Sequence, residues 1–283
     1  GSVFEPFESG TGVNTASSSR GRRNLIINGA VQVAQRGTSL SSVDGYSLDR
    51  WRVGSYAGSG GVVNVSQGTF TPAQGYPERF KNYLQYTVNT MPSGQEPNLH
   101  QRIEDVVTAN GEEVTLSFWA KVTSGTASIK TYFSNNSGGS GGTSNGTVYQ
   151  ITGVQLEVGS VATPFEHRSF GEELALCQRY YCKTYSYDVV PGTANEKGGA
   201  VFVYRQRDNN YCAFYFQHPV TMRTTPTQTR YSFAGTSGKA TSSTTDFTTA
   251  TNAPINGDSA TMSYGTGTPA DDCYQHFVLD AEL

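Results

Sequence analysis

Long apolar runs are missing from this chain of 283 residues, and no stretch approaches the roughly 20 apolar residues that a membrane helix needs. Neither membrane insertion nor a signal peptide is therefore expected. Formal charge is also scarce. Only 15% of residues are charged, the net charge is −3 and the pI is near 5.8, which excludes a general attraction to nucleic acid or to an anionic bilayer. The basic cluster Arg20, Arg22 and Arg23 lacks the aromatic interleaving and wider basic field of a nucleic-acid surface. There is no heptad run, collagen triplet or fixed-period repeat, so a fibrous shaft is not encoded here. Cysteine is limited to Cys177, Cys182, Cys212 and Cys273, none at metal-binding spacing. Cys177 and Cys182 fall on different faces of an expected helix. All four are expected as reduced, mostly buried thiols, in keeping with assembly in a reducing cytoplasm.

What is abundant is Gly, Ser, Thr and Tyr, with β-branched residues between turn signals, the composition of an all-β protein. Strands are expected at Asn24–Val33, around Trp51, and at Val62–Ser66, Leu84–Val88 and Leu99–Ile103. Glu113–Lys121 alternates most clearly, with Val114, Leu116, Phe118 and Ala120 on one face, and Asn110-Gly111 before it signals a hairpin. Ser128–Phe133 follows. Val154, Leu156 and Val158 alternate with Gln155 and Glu157 until Gly159 and Pro164 end the ladder. From Gly171 to Tyr181 the period changes. Leu174, Cys177, Gln178 and Tyr181 fall at helical spacing, and Glu172 and Glu173 sit where the helix dipole favours negative charge. Ala200–Tyr204, Tyr211–Gln217, Thr227–Phe233, Ala260–Tyr264 and Gln275–Leu279 read as further strands. Gly235–Gly257, rich in Thr and Ser, reads as surface loops or an edge hairpin turning at Asn256-Gly257.

The domain plan is accordingly an extended arm over 1–23 (with Gly1 and Ser2 a cloning remnant), a β-sandwich over 24–168, a helical joint over 169–182 and a smaller β-sandwich over 183–283. The tract SNNSGGSGGTSNG at Ser134–Gly146 has the composition of a flexible linker.

Chemistry is thinly represented. Two nucleophile-elbow matches fall inside that Gly/Ser tract, without the strand and helix the elbow needs. His100, His167, His218 and His276 have no partner at metal-motif spacing. The pairs Glu104-Asp105, Glu112-Glu113 and Asp271-Asp272 are adjacent in sequence, so on a strand their carboxyls point to opposite faces rather than across a groove. Glu166-His167-Arg168 reads as polar bonding within the joint. No enzyme is expected. Aromatics are more suggestive: 17 Tyr and 14 Phe. Tyr204, Arg207, Asp208, Asn209, Asn210 and Tyr211 combine flat rings with hydroxyl-binding groups around an expected hairpin loop, the chemistry of a glycan or receptor contact. An ordinary polar hairpin would use the same residues. Trp51, Trp119, Tyr231 and Phe233 read as framework.

Several stretches carry a resemblance. Arg23–Gly37 (RNLIINGAVQVAQRG), Leu48–Trp51 (LDRW), Gly153–Tyr181 (GVQLEVGSVATPFEHRSFGEELALCQRYY), Pro219–Pro226 (PVTMRTTP) and Asp280–Leu283 (DAEL) resemble, in the same order, segments of bacteriophage tail-fibre and tail-tip proteins. The match anchors both halves and covers a minority of the chain. It implies a jelly-roll-like N-terminal sandwich, a short connecting helix, a smaller C-terminal sandwich acting as a receptor-binding tip, and a homotrimer with Leu174, Gln178 and Tyr181 near the threefold axis. It implies a virion protein, made in the host cytoplasm, that binds a host cell-surface glycan or outer-membrane receptor without catalysis. Another tail protein would be held through the N-terminal arm. Jelly rolls of this kind often hold a structural calcium ion, for which Asn28, Asp49 and Glu157 could supply oxygens; no other cofactor is implied. The chain departs from the pattern at residues 134–147, where the family has further strands. A natural shortening, an engineered linker and an omitted segment all fit. A structural adaptor of the virion and a capsule depolymerase remain the alternative functions.

Overall fold

A computed structural model describes residues 5–8, 22–41, 45–56, 61–71, 79–92, 96–104, 111–125, 129, 131, 145–203, 211–242, 245–250, 256–266 and 272–283. Two compact units divide the chain: Gly1–Ala34 with Thr38–Glu173, and Gln35–Gly37 with Leu174–Leu283. The fold is almost entirely β, as the alternating patterns require.

In the first unit the strands are β1 (Glu5–Glu8), β2 (Ser39–Leu40), β3 (Gly45–Tyr46), β4 (Arg52–Tyr56), β5 (Val62–Thr69), β6 (Asn82–Thr90), β7 (Glu96–His100), β8 (Val114–Ser124) and β9 (Val148–Val158). They form a six-stranded sheet in the order β1-β8-β9-β6-β5-β2 and a three-stranded sheet in the order β3-β4-β7. Period-2 alternation sends Val63, Val65, Leu84, Tyr86, Val88 and Phe118 from the larger sheet, and Val53 with half-buried Leu99 from the smaller, into one core around Trp51 and Leu48. On the opposite face of β8, Trp119 joins Phe70, Phe80, Tyr83 and Phe165 in a second apolar cluster. Gly153 lies under it at φ +62°, where a Cβ would meet the Phe80 ring at 2.5 Å. Only glycine fits there.

Two expectations change in this unit. The N-terminal arm is not wholly free, because Glu5–Glu8 pairs antiparallel with β8, from Glu5 opposite Ala120 to Glu8 opposite Ser117. Asn24–Val33, with its Leu25-Ile26-Ile27 run, is not a strand. It is a buried irregular segment, for reasons given below. Ser128–Phe133 and residues 134–144 fall almost wholly outside the described residues. Just after them, Asn145 Oδ1 accepts from the Met91 N–H (2.7 Å) and Thr147 O from the Val88 N–H (3.0 Å), which leads the chain into β9.

The connecting helix α1 (Phe170–Gln178) is shorter than the spacing suggests. Ser169 and Glu172 start it as a reciprocal cap: Glu172 Oε2 accepts from the Ser169 N–H (2.8 Å), and Ser169 Oγ accepts from the Glu172 N–H (3.3 Å). The helix stops because Tyr181 is already β10 (Tyr181–Lys183), paired with the last strand of the chain. Cys182 is thus on a strand, not on the helix with Cys177.

The second unit continues with β11 (Val201–Val203), β12 (Tyr211–Gln217), β13 (Thr227–Tyr231), β14 (Lys239–Ser242), β15 (Thr245–Ala250), β16 (Ala260–Thr266) and β17 (Cys273–Asp280). It is organised around β17, which pairs with β10 and β13 along one half and with β11 and β14 along the other. Both faces of β17 are covered. Cys273, Phe277 and Leu279 enter a core with Cys182, Phe214, Met222 and Ala240, while Val278 packs with Tyr181 and Tyr185. β14 and β15 form a hairpin inside the sheet, not at its edge, and β16 and β12 complete the path β10-β17-β14-β15-β16-β12. Asn256-Gly257 does turn the chain, Gly257 N–H donating to Ala260 O (3.0 Å), but into β16. The expectation of four reduced thiols fails for one pair. Cys212 of β12 is bonded to Cys273 of β17, while Cys177 and Cys182 are free and buried. The sequence separation of 61 gives no hint of that pairing.

Candidate functional site

The segments that carry the resemblance bond to one another. From Arg23 to Val33 the backbone finds its partners among side chains and single backbone groups rather than in a ladder. Glu166 accepts from the Arg23 and Asn24 N–H groups (3.2 and 3.0 Å). Arg168 donates to the Asn24 carbonyl (2.6 Å), the Ile26 carbonyl (3.1 Å) and Glu166 (2.8 Å). Asn24 Oδ1 accepts from Ile26 and Leu156 (2.9 and 3.1 Å), and its amide donates to Val154 O (3.1 Å). Gln101 meets both Ile27 backbone groups (2.8 and 2.7 Å), and Glu173 accepts the Asn28 N–H. Pairing of this kind is what a buried irregular backbone demands. Gly29 is part of the same seat: a Cβ there would collide with the Val154 carbonyl.

The charges in this frame are tuned by burial and by these bonds. For Glu166, burial raises the pKa but is outweighed by the Asn24 and Arg23 N–H groups and by Arg168, so the carboxyl lies below its usual range. For Glu173, burial prevails over the Asn28 N–H and Arg168, and its carboxyl lies above. Glu157 is fully buried and accepts from Thr163 N (2.9 Å), Thr163 Oγ1 (2.6 Å) and Gln155 Nε2 (2.9 Å).

The second unit carries a matching frame. Arg223 of PVTMRTTP donates to the Ala281 and Glu282 carbonyls of DAEL (2.8 and 3.1 Å). Arg36 of AQRG pairs with Asp280 (3.0 Å) and Glu282 (3.2 Å), and its guanidinium lies 3.7 Å from the centre of the Tyr181 ring. Gln35 donates to Tyr181 O (2.8 Å). These residues build a scaffold.

The expected contact residues have varied positions. Tyr204, Arg207, Asp208, Asn209 and Asn210 lie outside the described residues. Tyr211 opens β12, and its side chain is likewise not described. Leu174 and Gln178 are half-buried on α1, whereas Tyr181 is 4% exposed and covered by Arg36. Two of the three suggested calcium ligands, Asn28 and Glu157, hold hydrogen bonds within the first unit. Asn28 Nδ2 donates to Val33 O (2.8 Å) and to the Asp49 carbonyl (3.0 Å), Asn28 Oδ1 accepts from Val33 N (2.9 Å), and Glu157 is held by Thr163. Among the described residues no group of three or more His, Cys, Asp or Glu is placed to hold a metal ion. Of the joint triplet, Glu166 and Arg168 belong to the scaffold, while the His167 ring packs against both Phe80 and Phe165, at 5.2 and 5.0 Å.

His276 has the geometry of a proton relay but not the access. It is 1% exposed, stacks on Tyr185 (3.7 Å), donates from Nε2 to Glu196 O (3.0 Å) and accepts at Nδ1 from Thr184 Oγ1 (3.1 Å). Burial lowers its pKa, which keeps the ring neutral.

Sequence reasoning passed over one surface. On β12, Cys212, Phe214 and Phe216 face the core, so Ala213, Tyr215 and Gln217 face out. Tyr215 is 47% exposed, and its hydroxyl donates to Gln217 Oε1 (2.7 Å). The alternation over Tyr211–Gln217 was the available signal; it marked a strand without singling out its outer face. Comparison with known proteins adds no assignment: no family model, curated protein or solved structure matches the chain.

Proposed function

We propose that this chain is a distal tail-fibre protein of a bacteriophage that attaches the virion to a bacterial surface by non-catalytic glycan binding, acting as a homotrimer. The observation that carries the reading is the interlocking of the resembling segments. RNLIING and GVQLE…EHRSFGEE lie more than a hundred residues apart in sequence, yet polar side chains of each satisfy backbone groups of the other, and Arg223 of PVTMRTTP does the same for the DAEL carbonyls. That the resembling segments meet in one framework is what supports reading them together. A framework of that kind fixes fold and leaves recognition to surfaces outside it. In this reading three copies act together, so weak sites sum to a strong attachment. Leu174 and Gln178 of α1 supply the contact between copies.

Fluorescently labelled protein, applied to a panel of bacterial strains before and after removal of surface glycans, tests the reading. Saturable binding that is lost on stripping, by a species of three times the chain mass in light scattering, is the expected result. Binding that survives stripping replaces the glycan with a protein receptor. A folded protein that binds no strain and associates instead with another virion component is a structural adaptor. Release of reducing ends from capsule makes it a depolymerase. Leu174→Ala with Gln178→Ala yields monomers if α1 carries the trimer; unchanged mass removes α1 from that role.

A further inference from the structure

We infer that the outward face of the β12–β16 ladder is a stacking surface for an uncharged saccharide, with the Tyr215 ring as its platform. The inference rests on the attachment reading above and gives it a location. In this ladder Tyr215 lies opposite Met262, Ala213 opposite Tyr264, and Gln217 opposite Ala260. The inward partners, Phe214 with Ser263 and Phe216 with Thr261, are committed to the interior. Alternation therefore places Tyr215, Met262, Tyr264 and Gln217 on one outward face.

Three features of that face favour a sugar. Tyr215 is a large aromatic left 47% exposed, on a strand whose alternate residues Cys212 and Phe214 are fully buried and Phe216 partly so. Its ring is also tethered. The hydroxyl donates to Gln217 Oε1 (2.7 Å), and Gln217 Nε2 donates in turn to the Ser259 carbonyl (2.7 Å). A ring held in place loses little rotamer freedom when a ligand stacks on it. Its neighbour Ala213 is small and does not wall off the ring, while Tyr264, diagonal to Tyr215, lies at a separation of about 7–8 Å in such ladders. Finally, no described side chain on this face carries a formal charge. A polyanion would find no countercharge there. The C–H face of a pyranose finds a flat apolar ring, and its hydroxyls find the Tyr215 oxygen and the Gln217 amide. The loop residues singled out from the sequence, Tyr204 to Asn210, are no part of this surface.

The test uses an array of purified neutral and acidic bacterial surface polysaccharides, probed with the full chain and three variants. Wild type should bind a neutral polysaccharide. Tyr215→Ala should weaken that binding by at least about tenfold, and Tyr215→Phe, which keeps the ring, by no more than about threefold. If Tyr215→Ala fails to fold by circular dichroism, Gln217→Ala is read in its place, because it frees the tether without touching the core; a loss of about threefold to tenfold is then expected. Full retention of array binding by folded Tyr215→Ala or Gln217→Ala overturns this site and leaves the attachment reading standing. Wild type that binds bacterial cells but no polysaccharide overturns the saccharide class alone. Wild type that binds neither overturns both. A change of mass in Tyr215→Ala makes the face a contact between copies and also overturns the inference.

Discussion

The two units hold their key buried segment by opposite means. In the first, Asn24–Val33 is seated almost entirely by side chains: Glu166, Arg168, Glu173, Gln101 and its own Asn24 and Asn28 take the donors and acceptors that a neighbouring strand would otherwise take. In the second, β17 is seated by backbone, with strands paired along both edges and apolar packing on both faces. A segment held by side chains can be unseated by one substitution. A segment held by ladders can be weakened only through volume or cross-links, because no substitution short of proline removes its backbone bonds.

Removing one side chain of the polar seat is therefore the most damaging change. Arg168→Ala takes donors from the Asn24 and Ile26 carbonyls and leaves Glu173 buried without its cation. Breaking a buried pair from one side costs about 3–5 kcal/mol. Both tryptophans, Trp51 and Trp119, lie in the first unit, so tryptophan fluorescence during urea unfolding reads that unit directly. Arg168→Lys should recover little, since an ammonium cannot span two carbonyls and two carboxylates as the guanidinium fork does. A loss below about 1 kcal/mol for Arg168→Ala would show that water can stand in for the fork, and the contrast between the units would collapse.

For the second unit the corresponding weak point is the Cys212–Cys273 bond. Among the described residues β12 and β17 are not direct neighbours, since β14, β15 and β16 lie between them in the sheet, and this cross-link joins the two strands directly through the core. Reduction, or Cys212→Ser with Cys273→Ser, should cost about 2–4 kcal/mol, read by near-ultraviolet circular dichroism of the tyrosines. Alkylation of the denatured protein should modify Cys177 and Cys182 alone without reductant, and all four cysteines with it. Four reactive thiols in freshly purified protein would mean that the strands meet without a bond.

The contrast also explains what could be read from the sequence. Ladders write themselves as alternation, so Val63 and Val65, Leu84 and Val88, and Phe214 and Phe216 announced their strands. The polar seat writes no period. Leu25-Ile26-Ile27 looked like a strand because its apolar residues are as buried as a strand's, while the partners that make it irregular lie as far off as Glu173. The helix was overrun at its end because Tyr181 keeps helical spacing although it begins β10. The β14–β15 hairpin was hidden by its chemistry. Thr241 and Ser242 are buried, and Asp246 accepts from Ser232 Oγ (2.6 Å) and Thr241 Oγ1 (2.8 Å), so an interior element reads as polar loop. The scaffold residues lie within the resembling segments. The outer face of β12 was not legible, since exposure is a property of the sheet and not of the residue.

The smallest expected effect is a pH dependence, and it too separates the units. His100 in the first unit is pushed down to about 4 by burial, helped by the nearby Arg52 and Arg102 charges. In the second unit His276 and His218 are lowered by burial, against the pull of Glu196 and Asp258. A histidine whose folded pKa lies below its ordinary value of about 6.5 takes up its proton more readily when unfolded. Its contribution is complete above that value and drains away as pH falls towards the folded pKa, so both units should weaken on going from pH 7 to 5. In the first unit the loss is tempered. Glu173, whose carboxyl is raised, binds a proton more readily when folded and so favours the folded state as pH falls, whereas Glu166, with its lowered pKa, adds its own loss at more acid pH. His100→Gln removes the titration while keeping a polar group, and should flatten the first unit's slope between pH 7 and 5 in tryptophan-detected unfolding. An unchanged slope would put the acid sensitivity of that unit on its carboxylates, making the polar seat the source of its pH response as well as of its strength.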